Sequence, residues 1–140
     1  NLVLTARLSI PGDPLYSFKL ALEDVQLGLT RDPAAETDLH ILFSHQRTTE
    51  IVELILEGDY ERVPSAARRL ESEIIAALQA RGDISNPDAA VELALTNHLR
   101  ETLSNEIFML NVMKGTTPVS AWPEVELAIH AAQSGLFALH

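Results

Sequence analysis

The feature that constrains this chain most is the stretch over residues 39–60, LHILFSHQRTTEIVELILEGDY. Its apolar residues recur at intervals of three and four, which places them on one side of an α-helix. Asp32-Pro33 precedes the stretch and is typical of a helix start, with a capping aspartate followed by a proline. Gly58-Asp59 predicts the helix end, because glycine adopts the left-handed conformation that follows many helices. The pattern therefore predicts one long helix over about residues 33–57.

The same arrangement of start and stop residues recurs along the chain and predicts further helices. Starts are indicated at Asp13-Pro14, Pro64 and Asn86-Pro87, and stops at Arg81-Gly82 and Lys114-Gly115. The predicted additional helices cover about residues 14–30, 64–81, 87–114 and 120–138.

These helices predict an all-α fold, an up-and-down helical bundle of four to five helices with an N-terminal extended arm. We expect one domain over residues 1–140, with the arm at 1–13 and the C-terminal helices at about 87–138. The apolar stripes predict the shared core. The crowded end of the 33–57 helix is expected to be buried between two neighbours: Ile51, Val52, Leu54, Ile55 and Leu56.

Composition restricts the classes of function. The net charge of −10 repels phosphate, so we expect no nucleic-acid partner. The chain has no cysteine, which excludes disulfides and thiol chemistry. No run of about 18 apolar residues occurs, so we expect no direct membrane insertion within this chain. The sequence starts without methionine, and we expect it to be part of a longer protein whose anchor lies outside it.

Three stretches carry a resemblance to a known family: PGDPLYSFKLALEDVQLGLT at 11–30, LHILFSHQR with Glu50 at 39–50, and GDYERVPSAARRLESEI at 58–74. They resemble a bacterial extracytoplasmic domain of unknown function that occurs in anti-sigma-factor-like, membrane-anchored or secreted proteins. The resemblance covers about residues 11–80. Ser17 replaces a proline that usually follows the PGDPLY motif, and His45-Gln46-Arg47 replaces a glutamate-arginine-arginine run. The resemblance implies no catalytic residue.

His40 is the most notable candidate metal ligand. Glu36 lies four residues earlier, so the two side chains share a helix face and could hold two corners of a metal site. His98 and His130 lie on other predicted helices and would have to complete it. The alternative is that His40 makes a structural hydrogen bond or is partly exposed beside Glu36, which the absence of closer ligand spacing favours.

A second set of candidates forms a possible interaction or structural motif. Arg47 and Glu50 are three residues apart and can pair on one helix face, or Arg47 can dock a partner's carboxylate. Tyr16 is expected to pack with its hydroxyl at the rim, with Lys19 its nearest basic residue in sequence. No catalytic or cofactor-binding residue is assigned, and no cofactor is expected.

A possible ligand pocket is also indicated near the junction of the last two predicted helices. The favoured alternative is that its aromatic and thioether side chains are core or lid residues. They are Phe108, Met109, Met113 and Trp122.

The leading hypothesis is a non-enzymatic extracytoplasmic sensing or protein-interaction domain, periplasmic or at the cell surface, in a membrane-anchored regulator. Its partner would be another protein or a second copy of the chain. One alternative is a metal-binding protein or hydrolase that uses His40 and Glu36. Another is a structural homodimerisation domain that uses surplus apolar faces.

Overall fold

The structure is a computed structural model that describes residues 32–85 and 89–139, together with Leu20 and Glu23. Within these residues there are four α-helices, two short 3₁₀ turns and no strand. The helices are α1 (Pro33–Leu56), α2 (Val63–Gly82), α3 (Ala89–Gly115) and α4 (Trp122–Phe137), and the turns are Tyr60–Arg62 and Val119–Ala121.

The prediction of an all-α fold is confirmed. Leu20 and Glu23 are also helical, within the range predicted for the first helix. The predicted arm at 1–13 and the predicted Asn86-Pro87 start lie outside the described residues.

The long helix α1 begins and ends where its flanking residues predict. Asp32 occupies the capping position in an extended conformation, although its side chain makes no capping hydrogen bond. Gly58 has a φ of 75°. Its N–H donates to the carbonyl of Ile55 at 3.0 Å, and the Asp59 N–H donates to the carbonyl of Leu54 at 2.9 Å. This is the Schellman arrangement, which satisfies carbonyls left open at a helix end.

The other two predicted glycine stops work differently. Helix α2 ends at Gly82 and α3 ends at Gly115, as predicted. Gly58 is, however, the glycine with positive φ among the described residues. After α2 the N–H of Asp83 instead donates to the carbonyls of Gln79 and Ala80 at 3.1 and 3.2 Å. The predicted positions are right, but the left-handed mechanism applies to α1 alone.

The helices follow the order α1, α2, α4, α3 around the bundle. Extensive packing occurs between α1 and α2, α2 and α4, α4 and α3, and α3 and α1. Short connections keep α1 beside α2 and α3 beside α4. Helices α2 and α3 are consecutive in the chain but have no extensive contact. These two helices therefore lie diagonally across the bundle from each other.

The core consists of the apolar stripes that the periodicity predicts. Its members come from all four helices: Ile41, Ile51, Leu54, Ile55, Val63, Ala66, Ala67, Leu70, Ile74, Ala77, Leu99, Leu103, Leu110, Val125, Ala128, Ile129 and Ala132. One expectation was wrong at the end of α1. Leu56, the last residue of the helix, is 72% exposed.

Helices α2 and α4 approach each other closely at Gly135. A methyl group added to this glycine would lie 2.5 Å from Ile74 Cγ2 and 3.3 Å from Leu103 Cδ1. Contacts between real side chains are not that short, so the packing here depends on the absence of a side chain at Gly135.

Candidate functional site

The inner surface of α1 is partly polar, which distinguishes it from α2 and α4. Its fully buried residues include Thr37, Ser44, Arg47, Thr48 and Glu50. They lie between the apolar residues of the same helix, and one buried carboxyl of α3, Glu106, faces them. Buried polar groups cost free energy unless they are paired, and they cluster at functional sites. This surface is therefore the main candidate for a functional site.

Arg47 is at the centre of a buried ion-pair cluster. Its side chain is 1% exposed. Its Nη2 donates to Glu23 Oε2 at 2.7 Å, and its Nε lies 3.2 Å from Glu50 Oε2. Glu23 precedes α1 in the chain, so the cluster holds the Glu23 side chain against the helix. Arg47 therefore ties chain segments together within the bundle.

Glu106 lies in a second buried polar cluster, between α3 and α1. The residue is 1% exposed. Ser44 Oγ lies 3.0 Å from Glu106 Oε1 and 2.8 Å from the backbone carbonyl oxygen of Ile41. A hydroxyl has one proton to donate. Both short contacts are hydrogen bonds at once when Glu106 is protonated and donates to Ser44, while Ser44 donates to Ile41.

The surroundings of Glu106 favour its protonated form. Burial raises the pKa of its carboxyl from 4.5 to about 7, and the hydroxyls of Ser44 and Thr48 act in the opposite direction. Its second oxygen, Oε2, is buried and has no hydrogen-bond partner among the described residues. Glu106 is thus a carboxyl group that changes its charge near neutral pH inside a helix interface.

A groove of about 570 Å³ lies directly beside Glu106, between α1 and α3. We call it the α1–α3 groove. Both helices contribute polar and apolar side chains to its lining: Asp38, Ile41, Leu42 and His45 from α1, and His98, Thr102, Asn105, Glu106 and Met109 from α3. It combines a concave shape, a mixed lining and a buried titratable group, the features that small-molecule sites share.

The structure gives His40 a partner on another helix. Its Nδ1 lies 2.7 Å from Glu73 Oε2 of α2, and its ring contacts Phe43 edge-on with centroids 6.4 Å apart. The pair links α1 to α2, which agrees with the structural alternative for His40. The metal-ligand prediction for His40 and Glu36 stays untested. Within the described part of the chain, no three histidine or acidic side chains are arranged to hold a metal ion.

The four residues weighed as a pocket lining, Phe108, Met109, Met113 and Trp122, take different positions in the structure. Phe108 is 72% exposed, Met109 lines the α1–α3 groove, and Met113 packs against the core. Trp122 donates from Nε1 to the carbonyl of Thr117 at 3.2 Å. These residues diverge because they fall on different faces of α3 and at the start of α4. Tyr16 and Lys19 lie outside the described residues.

Glu106 is the residue that sequence reasoning missed. It lies between Leu103 and Leu110 in the buried stripe of α3. From sequence alone, a charged residue in a helix is normally assigned to the solvent-facing side. The available signal was its place in the helical repeat: Leu99, Leu103, Glu106 and Leu110 recur at threes and fours. A glutamate at such a position indicates a buried carboxyl.

The fold and the site together define an all-α helical-bundle domain with a polar inner face on one helix. None of the helices in the described ranges is both long and apolar enough to cross a membrane. The sequence model of one family matches residues 8–117, and the chain belongs to that family, described as a domain of unknown function (DUF5667). No curated protein and no solved structure matches the chain.

Proposed function

We propose that this chain is a non-enzymatic sensing or protein-interaction domain that works outside the cytoplasm, in a membrane-anchored regulator. The observation that carries the proposal is the α1–α3 groove beside Glu106. A groove of mixed lining fits recognition of a ligand or of a partner's side chain. The resemblance of residues 11–80 to extracytoplasmic domains supports the location.

The polar clusters support recognition over chemistry. Arg47 is held by Glu23 and Glu50, and His40 by Glu73, so these groups serve the packing of the helices. Glu106 lies beside a hydroxyl and next to a groove. A ligand or partner that changes its charge would change how α1 and α3 pack, which is how a sensor converts binding into a structural signal.

The location is tested with a single introduced cysteine. The chain has none of its own, so Ser104→Cys on the exposed side of α3 gives one reactive thiol. The full-length protein in intact cells is treated with a membrane-impermeant maleimide, with a cytoplasmic cysteine protein as the control. We expect Ser104→Cys to be labelled and the control to stay unlabelled. Labelling of Ser104→Cys only after lysis contradicts the proposed location.

The interaction is tested with a photo-crosslinking residue in place of Asn105 at the groove. The matched control places the same residue at Gln79, which is exposed on α2. We expect one discrete adduct from Asn105 that is absent from Gln79 and is lost when Leu42→Arg blocks the groove. Equal adducts from both positions, or none from either, contradict an interaction at this groove.

Homodimerisation is the second candidate function. Phe108 and Val112 lie one turn apart on α3 and are 72% and 52% exposed. Exposed apolar pairs of this kind favour contact with another surface. Sedimentation of the wild type and of Phe108→Glu tests this candidate. A dimer that Phe108→Glu converts to a monomer supports it, and a monomeric wild type contradicts it.

A further inference from the structure

We propose that the α1–α3 groove binds a small organic cation, an alkylammonium with an apolar body, and that the carboxylate of Glu106 is its counter-ion. The inference rests on the proposed function only in treating this groove as a recognition surface. It adds the chemical class of the ligand.

The lining of the groove favours a positively charged ligand. Asp38 and Glu106 supply carboxyl groups, and Asn105 and Thr102 supply further oxygen acceptors. The described residues that line the groove include no lysine and no arginine. The chain carries a net charge of −10, which raises the local concentration of cations near its surface. An anionic ligand would meet two carboxyl groups and no fixed positive charge.

The position of Glu106 supplies the second, independent observation. The residue is 1% exposed, and its Oε2 is buried with no hydrogen-bond partner among the described residues. Ser44 occupies the other oxygen, Oε1. The hydroxyls of Ser44 and Thr48 lower the pKa of this carboxyl but do not offset its burial, so an ionised carboxylate here is incompletely compensated. An ammonium group can donate the missing hydrogen bond and neutralise the charge at the same time.

The apolar part of the lining defines the rest of the ligand. Ile41, Leu42 and Met109 provide a hydrocarbon surface in a groove of about 570 Å³. That size suits a ligand with several carbon atoms. Glu106 Oε2 is buried, so a lining side chain must move to admit the ammonium. Met109 is unbranched and partly exposed, and Leu42 is 43% exposed, so both can rotate.

The geometry favours an organic cation over a metal ion. A metal ion needs several ligands at fixed distances, and the described residues contain no suitable group of three. His45 and His98 line the groove but do not form such a group with Glu106. An alkylammonium needs only acceptors without a fixed coordination geometry.

The test compares three probes of equal length: hexylammonium, 1-hexanol and hexanoate. They share the apolar body and differ in the charge of the head group. Each is titrated into the full chain, and binding is followed by the backbone amide shifts of the residues that line the groove. We expect hexylammonium to bind at least tenfold more tightly than 1-hexanol, and hexanoate to bind more weakly than either.

Three variants locate the counter-ion. Glu106→Gln keeps the size and hydrogen-bonding capacity of the side chain and removes its charge, and we expect hexylammonium affinity to fall at least tenfold. Glu101→Gln is the matched control, because it removes the same charge from an exposed position of α3 outside the groove. Its affinity should change less than twofold. Asp38→Asn removes the other carboxylate of the groove and should weaken binding two- to threefold.

The pH dependence gives a signature that a purely structural role would not produce. Glu106 has to ionise to pair with the ammonium, so affinity of the wild type should rise about tenfold between pH 6 and pH 8. Asp38, His45 and His98 line the same groove and are present in Glu106→Gln as well, so the difference between the two proteins isolates Glu106.

Three results overturn the proposal: equal affinity for hexylammonium and 1-hexanol, no loss of binding in Glu106→Gln, or no shift with any probe. None of them decides the proposed function, because the crosslinking at Asn105 and the labelling of Ser104→Cys do not involve a cation.

Discussion

The two halves of this bundle are built from different kinds of buried side chain. Every buried residue of α2 and α4 is apolar or glycine. The buried residues of α1 include Ser44, Arg47 and Glu50, and α3 adds Glu106. The α2–α4 half depends on shape, because its helices meet where Gly135 leaves room for Ile74. The stability of the α1–α3 half also depends on whether its buried side chains are charged. The two halves should therefore respond differently to pH and to substitution.

The largest expected effect is the loss of Arg47. Arg47→Met leaves the carboxylates of Glu23 and Glu50 buried without their shared cation. Removing one partner of a buried ion pair costs about 3–5 kcal/mol. We expect a loss of this size in the free energy of unfolding, measured by urea denaturation at pH 7.

The matched control for Arg47 is the exposed ion pair of Arg62. Its Nε lies 3.2 Å from Asp59 Oδ2, the same distance as the Arg47–Glu50 contact, but the Arg62 side chain is 51% exposed. Arg62→Met should change the free energy of unfolding by less than about 0.5 kcal/mol. If the two variants lose similar amounts, burial does not distinguish the two pairs and the comparison fails.

The next largest effect on the free energy of unfolding is expected from Glu106→Gln. Unlike Arg47→Met, this substitution should stabilise the protein at high pH. The pKa of Glu106 is about 7 in the folded protein and 4.5 as its ordinary value. The folded state thus binds the proton more tightly, so stability from this group is present in full below pH 4.5 and is lost as the pH rises through 7. The free energy of unfolding should fall by about 3 kcal/mol over this pH range.

Glu106→Gln removes this titration. We expect the wild type to lose stability between pH 5 and pH 8 relative to the variant, so that the variant is the more stable protein at pH 8. Urea denaturation of both proteins across this range measures the difference. Parallel profiles would show that Glu106 ionises in the folded protein as it does in water.

A smaller effect is expected in the apolar half. Gly135→Ala adds a methyl group against Ile74 Cγ2. Overpacking of this kind costs about 1–3 kcal/mol, and the better helix propensity of alanine offsets about 1 kcal/mol of it. Ile74→Leu lacks the Cγ2 methyl group, so the double variant should recover most of the loss. The cost should be the same at pH 5 and pH 8, in contrast to Glu106→Gln. If the double variant instead loses the sum of the two single losses in stability, residue 135 and Ile74 are not in contact.

The smallest effect concerns the partly exposed ion pair between α3 and α4. Lys114 Nζ lies 2.8 Å from Glu126 Oε1. The hydrogen bond and the charge of Lys114 lower the pKa of the Glu126 carboxyl. Lys114→Met should raise that pKa toward 4.5, as measured by an NMR titration of the carboxyl carbon, and stability should not change detectably. An unchanged pKa would mean that the pair is not formed in solution.

The sequence predicted the apolar half better than the polar half, for a physical reason. Burial of apolar residues follows helical periodicity, so the stripe from Leu70 to Ile74 and the end of α1 at Gly58 could be recognised directly. Burial of Arg47 and Glu106 depends on which helices become neighbours. The bundle order that places α3 beside α1 rather than α2 is not encoded in any local spacing.

The candidate site follows the same division. The sequence singled out Arg47 and Glu50 as a pair, because three residues separate them on one helix. It paired His40 with Glu36 by the same local rule, whereas the structure gives His40 the carboxylate of Glu73, 33 residues away. The α1–α3 groove joins side chains about 60 residues apart, such as His45 and Asn105. Local spacing carries no information about contacts of that range.

The central claim is that α1 and α3 enclose a carboxyl group that keeps its proton close to neutral pH. The most direct measurement is an NMR titration of the Glu106 carboxyl carbon, identified as the signal that is missing from Glu106→Gln. We predict a midpoint at about pH 7. A midpoint near the ordinary value of 4.5 would contradict the claim and, with it, the pH dependence expected for the groove.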